Sequence, residues 1–205
     1  MRLLEQGDLP RVAGMLARAF ADDPTTTWLF PSPRGRAQRL ERWYLLNVMA
    51  LWDAGEGWVT EDLSSVALWL PTGSVRAGHR PHLGRQLWLS LRIGAALGAR
   101  LPGALRVNLR VHARHPRETG WYLAVLGTEP SRQGRGLGSA VLAPVLRRCD
   151  EAGLPSALDT VTEADVSYYG KRGFQLVAEV MMPGAPHFRV MRRPPQPPSP
   201  APPPV

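Results

Sequence analysis

A glycine-rich loop between a strand-like and a helix-like segment most constrains how this chain can fold. Residues 133–139 read Gln-Gly-Arg-Gly-Leu-Gly-Ser, after an apolar run over 121–128 and before an amphipathic run over 137–151. Glycine lets the backbone turn sharply and pass close to a ligand, and a helix starting behind it presents unpaired N–H donors. With the positive end of the helix dipole, these donors form a cradle for phosphate groups. The loop predicts a pyrophosphate site; the alternative is an ordinary glycine-rich turn.

A dinucleotide-binding fold is the competing phosphate cradle. It needs Gly-x-Gly-x-x-Gly directly after a first strand, with an acidic residue about 20 positions further on. Here the loop begins with Gln133 and lies beyond the middle of a 205-residue chain. Both departures argue against the dinucleotide fold.

Hydrophobic periodicity surrounds the loop with further strands and helices. Helical spacing indicates helices at about 9–21, 36–53, 81–111, 137–151 and 164–171. Strand-like runs occupy residues 3–4, 57–60, 65–70, 121–128, 157–161, 174–180 and 188–192. We predict an α/β (α+β) fold with a mixed central sheet flanked by helices. The basic, apolar stretch 81–111 could lie on a membrane surface, but packing over the sheet or against a substrate pocket is favoured.

Length and composition indicate one domain over 1–193, followed by a disordered proline-rich tail over 194–205. The net charge is +8, and Lys171 is the only lysine. No arginine-rich run with interleaved aromatics appears, so we expect no nucleic-acid partner. No apolar run approaches membrane-spanning length, so we expect a cytoplasmic protein without a membrane partner.

Cysteine and histidine usage argues against a metal centre. Cys149 is the sole cysteine, which excludes an intramolecular disulfide and a cysteine-based zinc site. The five histidines show no ligand spacing, so no metal is expected.

A second motif makes the phosphate loop specific. Tyr169 lies in Tyr-Tyr-Gly-Lys-Arg-Gly-Phe over 168–174. With both motifs the chain resembles the GNAT superfamily of acyl-CoA N-acyltransferases, in element order over 9–193 and most specifically over 121–174. It is most similar to the puromycin N-acetyltransferase branch, on segments 19–24, 65–69, 121–124 and 133–141. The resemblance implies a largely antiparallel sheet and acetyl-CoA as the donor.

The resemblance also assigns the cofactor site. It implies that backbone at Leu126, Gly127 and Thr128 pairs with the pantetheine arm, and that the loop wraps the pyrophosphate. Arginines beside the loop could add charge-assisted contacts. The candidate loop residues are Arg132, Gln133, Gly134, Arg135, Gly136, Leu137, Gly138 and Ser139. Thr162 stands where many family members carry an asparagine, which puts that cofactor contact in question.

Two residues are candidates for acid–base chemistry. The resemblance implies that Tyr169 protonates the departing thiolate, and a phenol with a pKa of about 10 is protonated at neutral pH. The alternative for Tyr169 is packing against the cofactor arm. Asp159 matches the position of the family's frequent glutamate and could accept the substrate's proton through water. The alternative for Asp159 is pairing with an arginine at a strand end.

The acceptor site is the least specified part of the sequence. Acidic and aromatic side chains suit a cationic amine, although such residues more often pack in cores or end helices. The candidates are Asp22, Asp23, Trp28, Trp69 and Tyr122. The resemblance implies transfer of an acetyl group to a primary amine, such as an amine antibiotic or metabolite, by direct attack in a ternary complex. A catalytically silent CoA-binding sensor is the alternative, and a homodimer stays open.

Overall fold

The computed structural model describes residues 1–72, 83–116 and 120–196. Within these residues, seven strands form one sheet in the order β1-β2-β3-β4-β5-β7-β6. The strands are β1 Arg2–Leu3, β2 Glu56–Val59, β3 Ser65–Pro71, β4 Trp121–Thr128, β5 Ser156–Thr160, β6 Gln175–Val180 and β7 Phe188–Arg193. The α-helices are α1 Leu9–Ala19, α2 Pro24–Leu29, α3 Arg36–Ala54, α4 Leu83–Leu97, α5 Leu101–His112, α6 Leu137–Glu151 and α7 Glu163–Gly170.

The sheet is mixed and largely antiparallel, which confirms the predicted fold class. Only the central pair, β4 and β5, runs parallel, while the other neighbouring strands pair antiparallel. The β4–β5 register covers three pairs, from Trp121↔Ser156 to Leu123↔Leu158. Both strands continue past these pairs, so they separate at their carboxyl ends and open a wedge in the middle of the sheet.

Strand β3 shows how both faces of the sheet are covered. Val66 and Leu68 pack in a core cluster with residues of α1 and α3, whereas Ala67 and Trp69 belong to a cluster with residues of α6. Alternate side chains of a strand point to opposite faces, so the sheet is buried on both sides. This explains the nearly continuous apolar run of the strand.

Helix α2 is a departure from the sequence expectation, which placed no helix between residues 21 and 36. The first helix does end, at Ala19, but Asp23 then begins a new one. Its side chain accepts hydrogen bonds from the N–H groups of Thr25 and Thr26 at 2.8 and 3.2 Å. Pro24 fits the first helical position because it has no N–H to leave unpaired.

Helices α4 and α5 each pack one face against the rest of the protein and leave the other face exposed. Arg85 pairs with Asp53 of α3, and Val107 and Val111 of α5 pack with residues of β6 and β7. The opposite face exposes Leu83, Leu87, Trp88, Leu91, Leu105 and Leu109. No helix among the described residues combines the length and the apolar character needed to cross a bilayer.

Two sequence expectations concern residues outside this description. The stretch 81–111, for which one or two helices are predicted, begins at residues that are not described. Most of the predicted tail, from residue 197 onward, also lies outside the described residues. The described end of the chain is held by Asp150, whose carboxylate accepts hydrogen bonds from Arg193 and from the N–H of Gln196.

Candidate active site

The wedge between β4 and β5 opens into a cavity of about 810 Å³. The cavity size falls in the range typical of small-molecule sites. Its walls come from the end of α1, the start of α2, the edge of β4, the glycine-rich loop and α7. The lining residues are Arg18, Ala19, Phe20, Asp22, Asp23, Pro24, Leu126, Gly127, Thr128, Pro130, Arg132, Gln133, Gly134, Gly136, Leu137, Gly138, Thr162, Asp165, Tyr168, Tyr169 and Arg172.

The glycine-rich loop forms one end of the cavity with its backbone. Gly134 and Gly136 have φ angles of +75° and +78°, a region that glycine adopts without strain. Gly136 caps α6, and the first N–H groups of this helix have no helical partner. A Cβ at Gly134 or Gly136 would meet no atom of the described residues within 4 Å. Conformation, rather than crowding, therefore requires glycine at these two positions.

Gly138 is required for a different reason. A Cβ there would lie 2.7 Å from the hydroxyl oxygen of Tyr168. The Tyr168 ring is held by Arg172, whose guanidinium carbon lies 3.4 Å from the ring centroid. Arg172 also donates hydrogen bonds to the Tyr168 carbonyl oxygen and to Ser139 Oγ. These contacts fix α7 against the beginning of α6.

Gly127 brings α1 close to β4. A Cβ at this position would lie 2.3 Å from Leu16 Cδ2 and 3.2 Å from Phe20 Cε2. Since Phe20 and Gly127 both line the cavity, this contact sets the separation of two of its walls.

The cavity has features that fit acetyl-CoA. The edge of β4 at Leu126, Gly127 and Thr128 pairs with β3 on one side and faces the wedge on the other. The α6 N-terminus offers N–H donors to phosphates. Tyr168 Oη is buried, lines this cavity and has no hydrogen-bond partner within the described protein atoms. An acyl-CoA arm along β4, with its phosphates at the loop, matches this donor set.

The polar side chains near the loop differ in where they point. Gln133 Nε2 donates to the Thr128 carbonyl oxygen at 3.2 Å, and Arg132 pairs with Asp62 at 2.9 Å. Both residues line the cavity, whereas the exposed Arg135 and the half-buried Ser139 do not. Thr162 lines the cavity and caps α7, because its hydroxyl oxygen accepts a hydrogen bond from the Asp165 N–H at 3.1 Å.

Tyr169 is buried in the cavity wall, with 8% of its surface exposed. Burial raises its pKa well above the ordinary value of a tyrosine, and the nearby charges of Asp165 and Asp159 act in the same direction. The phenol therefore stays protonated and can act as a hydrogen donor at any physiological pH.

Asp159 lies immediately beyond the last β4–β5 pair, outside the cavity lining, and joins a cluster of polar rings. Its Oδ1 accepts a hydrogen bond from the Tyr122 hydroxyl at 2.6 Å and lies 3.1 Å from His115 Nε2. The ring centroids of His112 and His115 are 4.9 Å apart, and those of His115 and Tyr122 are also 4.9 Å apart. Asp159 thus pairs with a tyrosine and a histidine rather than with an arginine.

The sequence reasoning missed His112 and His115, because their spacing matches no metal site and no short motif contains them. Burial lowers the pKa of His112, and the neighbouring His115 lowers it further, against the opposing effect of Asp159. Burial and the Asp159 charge raise the pKa of Tyr122 well above its ordinary value.

The acceptor candidates separate into three groups. Asp22 and Asp23 line the cavity, and burial raises the pKa of Asp23 although the Thr26 and Thr25 N–H groups oppose the shift. Tyr122 belongs to the Asp159 cluster. Trp69 is fully buried in the core beneath α6, and Trp28 packs between two core clusters. Neither tryptophan lines the cavity, so their positions are those of packing residues.

Known proteins share this architecture. A model of the acetyltransferase (GNAT) family matches residues 80–174. A structure described as histone acetyltransferase HPA2 and related acetyltransferase, from Corynebacterium glutamicum, is 23% identical over 97% of both chains, with a TM-score of 0.69. Arylalkylamine N-acetyltransferase 2 from Aedes aegypti is 13% identical over 95% of this chain and 98% of its own, with a TM-score of 0.58. The ribosomal-protein-S18-alanine N-acetyltransferase from Escherichia coli is 15% identical over 95% and 92%, with a TM-score of 0.51.

Proposed function

We propose that this chain is an N-acetyltransferase of the GNAT superfamily that uses acetyl-CoA and acetylates the primary amine of a small molecule; the family model over residues 80–174 and the shared fold support the proposal. The amine attacks the thioester directly in a ternary complex. The observation that carries this proposal is one cavity of about 810 Å³ that contains both the phosphate cradle and a set of carboxylates. A volume of this size suits a cofactor arm together with a compact acceptor rather than a protein surface.

The charges of the cavity support a cationic acceptor. The loop end has the free N–H groups of α6, whereas Asp22, Asp23 and Asp165 line the walls elsewhere. The N–H groups that would bind anionic phosphates thus lie in the same cavity as carboxylates that attract an ammonium group. Phe20 adds an aromatic surface beside Asp22 and Asp23.

In this proposal the chain positions the reactants with its backbone. Leu126, Gly127 and Thr128 bind the pantetheine arm as an added strand, and the residues 132–139 surround the phosphates. A backbone N–H in this part of β4 polarises the thioester carbonyl. Acetyl-CoA, when bound, supplies an acetyl group activated as a thioester.

Tyr169 serves as the hydrogen donor to the departing sulfur. Its raised pKa keeps the hydroxyl protonated, and its position in the cavity wall places it on the side of α7 that faces the loop and β4. Asp159 and its hydrogen-bond partners lie beyond the cavity lining, and in this proposal they accept through water the proton that the ammonium group of the acceptor loses.

Direct attack is favoured over a cysteine-bound intermediate. Cys149, the sole cysteine, is fully buried in the cluster beneath α6. Burial raises the pKa of its thiol to about 11, so little thiolate exists at neutral pH.

We place the enzyme nearest to the puromycin N-acetyltransferase branch, with an amine antibiotic or an amine metabolite as the acceptor. The segments 19–24 and 121–124 that carry this resemblance contribute Asp22, Asp23 and Tyr122 to the site and its neighbourhood.

The test measures thiol release from acetyl-CoA with aminonucleosides, aminoglycosides, polyamines and N-terminal peptides. We expect release with one small-molecule class and at least about a 100-fold fall in kcat for Tyr169→Phe, with the acetyl-CoA Kd within about twofold of the wild type. Tyr44→Phe is the matched control, because Tyr44 is also buried but lies outside the cavity lining.

Two outcomes would contradict the proposal. Thiol release with peptides alone would indicate that the acceptor is a protein and not a small molecule. Tight acetyl-CoA binding without thiol release for every amine would favour a silent sensor.

A further inference from the structure

The Asp159 cluster contains a proton acceptor that neither the loop motif nor the tyrosine motif indicates. We infer that His115, oriented by Asp159, takes up the proton that the acceptor ammonium must release before it attacks. This inference rests on the proposed acetyl transfer to an amine. It assigns to the imidazole the role that the sequence suggested for the carboxylate.

Three separate elements bring the cluster together. His115 follows the end of α5, Tyr122 lies on β4, and Asp159 lies on β5. The side chains of His115 and Asp159 are only 14% and 19% exposed. Burying polar and charged groups is costly unless they are paired, and here each group has a partner in the cluster. The position directly beyond the last β4–β5 pair puts the cluster at the apex of the wedge.

One of the two oxygens of the Asp159 carboxylate, Oδ1, already accepts hydrogen bonds. Oδ1 of Asp159 accepts the hydroxyl of Tyr122 at 2.6 Å and faces His115 Nε2 at 3.1 Å, so both of its lone pairs are engaged. Tyr122 remains the donor in this hydrogen bond, because its raised pKa keeps the hydroxyl protonated. Asp159 is therefore held as an acceptor from both sides, which suits an orienting group.

The same contact defines the state of the histidine. Since Asp159 accepts, Nε2 of His115 carries the hydrogen, and the lone pair of the neutral ring is at Nδ1. An aspartate that holds the N–H of an imidazole in this way fixes the tautomer and stabilises the imidazolium after proton transfer. The arrangement matches a carboxylate–histidine pair in which the histidine is the base.

The surrounding groups favour His115 over its neighbour. Three titratable groups face the His115–Asp159 pair or influence it: His112 of α5, Tyr122 of β4 and, through its charge interaction with Asp159, Tyr169 of α7. Burial and the proximity of His115 lower the pKa of His112. The Asp159 carboxylate contacts His115 directly, at 3.1 Å from Nε2, and therefore orients the His115 ring.

The proton balance of the step is simple. The N–H bond of the acceptor ammonium breaks, its electron pair stays on the nitrogen, and an N–H bond forms at Nδ1 of His115. The neutral amine then attacks the thioester carbon. The imidazolium then loses its proton to solvent.

The experiment compares His115→Ala with wild type in thiol release from acetyl-CoA over pH 6.5 to 9.5, using the best amine of the panel. We expect kcat/KM of the variant to fall by about 100-fold at pH 7. The deficit should shrink toward pH 9.5, because the acceptor is then increasingly deprotonated in solution. Added imidazole should restore part of the rate at pH 7. The acetyl-CoA Kd should remain within about twofold.

Two further variants separate this role from a structural one. Asp159→Asn should reproduce the pH-dependent deficit without responding to imidazole, because the ring is still present but no longer held in its tautomer. His187→Ala is the control, since His187 pairs with Glu179 away from the cluster and should leave kcat/KM unchanged.

A His115→Ala enzyme with wild-type kcat/KM at pH 7 would overturn the inference. A deficit that is constant with pH and insensitive to imidazole would also overturn it, because that pattern marks a packing defect. Either result would leave the proposed acetyl transfer intact, since the wild-type enzyme still releases thiol. Absence of release by the wild type with every amine would instead overturn the proposed function itself.

Discussion

The two ends of the candidate site are built in opposite ways. The proposed cofactor end consists largely of backbone from one continuous stretch, 126–139, in which glycines permit the conformation. The proposed proton-accepting end consists of three side chains from three parts of the chain, with a sequence separation of 37 positions for Tyr122 and Asp159 and of 44 for His115 and Asp159.

This difference explains why only one end is visible as a motif. A continuous backbone site needs glycine at fixed spacing, and that spacing appears directly in the sequence. A cluster assembled by the sheet needs only that a helix end and two strands meet, so its residues carry no common spacing. The difference also predicts different sensitivities: backbone conformation and space should matter at the first end, and charge and protonation at the second.

The largest effect is expected for Gly136→Glu. A carboxylate beside the phosphates costs about 4 kcal/mol at 4 Å before salt screening, so acetyl-CoA affinity should fall on the order of 100-fold in calorimetry. Gly153→Glu is the matched control, because Gly153 also has a positive φ, of +63°, and open space, but lies outside the cavity lining. Equal losses in both variants would mean that backbone strain, and not the cradle, accounts for the effect.

An intermediate effect is expected for Gly138→Ala. The added methyl group would collide with the Tyr168 hydroxyl, and overpacking of this kind costs about 1–3 kcal/mol. We expect a lower free energy of unfolding and about a tenfold weaker acetyl-CoA affinity. Combining the change with Tyr168→Phe removes the colliding hydroxyl and should recover most of the unfolding free energy. Failure to recover would contradict the assigned collision.

The smallest effect is expected for Asp22→Asn. Its side chain is 94% exposed and pairs with Arg36 at 3.3 Å, so water screens most of its attraction for a cation. We expect KM for the amine to rise about threefold at low salt and the difference to vanish at high salt, with kcat unchanged. Glu61→Gln removes an exposed charge away from the cavity and serves as the control. An equal rise in both variants would assign the effect to net charge alone.

Most of the fold could be predicted from hydrophobic periodicity. The expected strand over 121–128 and the expected helix over 137–151 coincide with β4 and α6. Long amphipathic segments and the strand before the loop are patterns that burial imposes directly on the sequence. Helix α2 escaped prediction because six residues contain too little periodicity, and because Asp-Pro both ends one helix and begins the next.

The site could be predicted only where it is local. The loop glycines and Tyr169 lie in short motifs, and all of them line the cavity. His115 was missed because its partner is 44 residues away. The aromatic acceptor candidates Trp28 and Trp69 illustrate the opposite problem, since composition alone does not distinguish a ring that contacts ligand from one that fills the core.

The lack of a side chain at Gly127 sets the distance between two walls of the cavity, β4 and the end of α1. Because Gly127 has no side chain, Leu16 and Phe20 can approach β4 closely. The chain after Phe20 continues to Asp22 and Asp23, which also line the cavity. Any side chain at position 127 would push the C-terminal end of α1 away from β4 and widen the cavity between them. A glycine on β4, in the segment that we propose for the donor, thus sets the width of the cavity on the side that we propose for the acceptor.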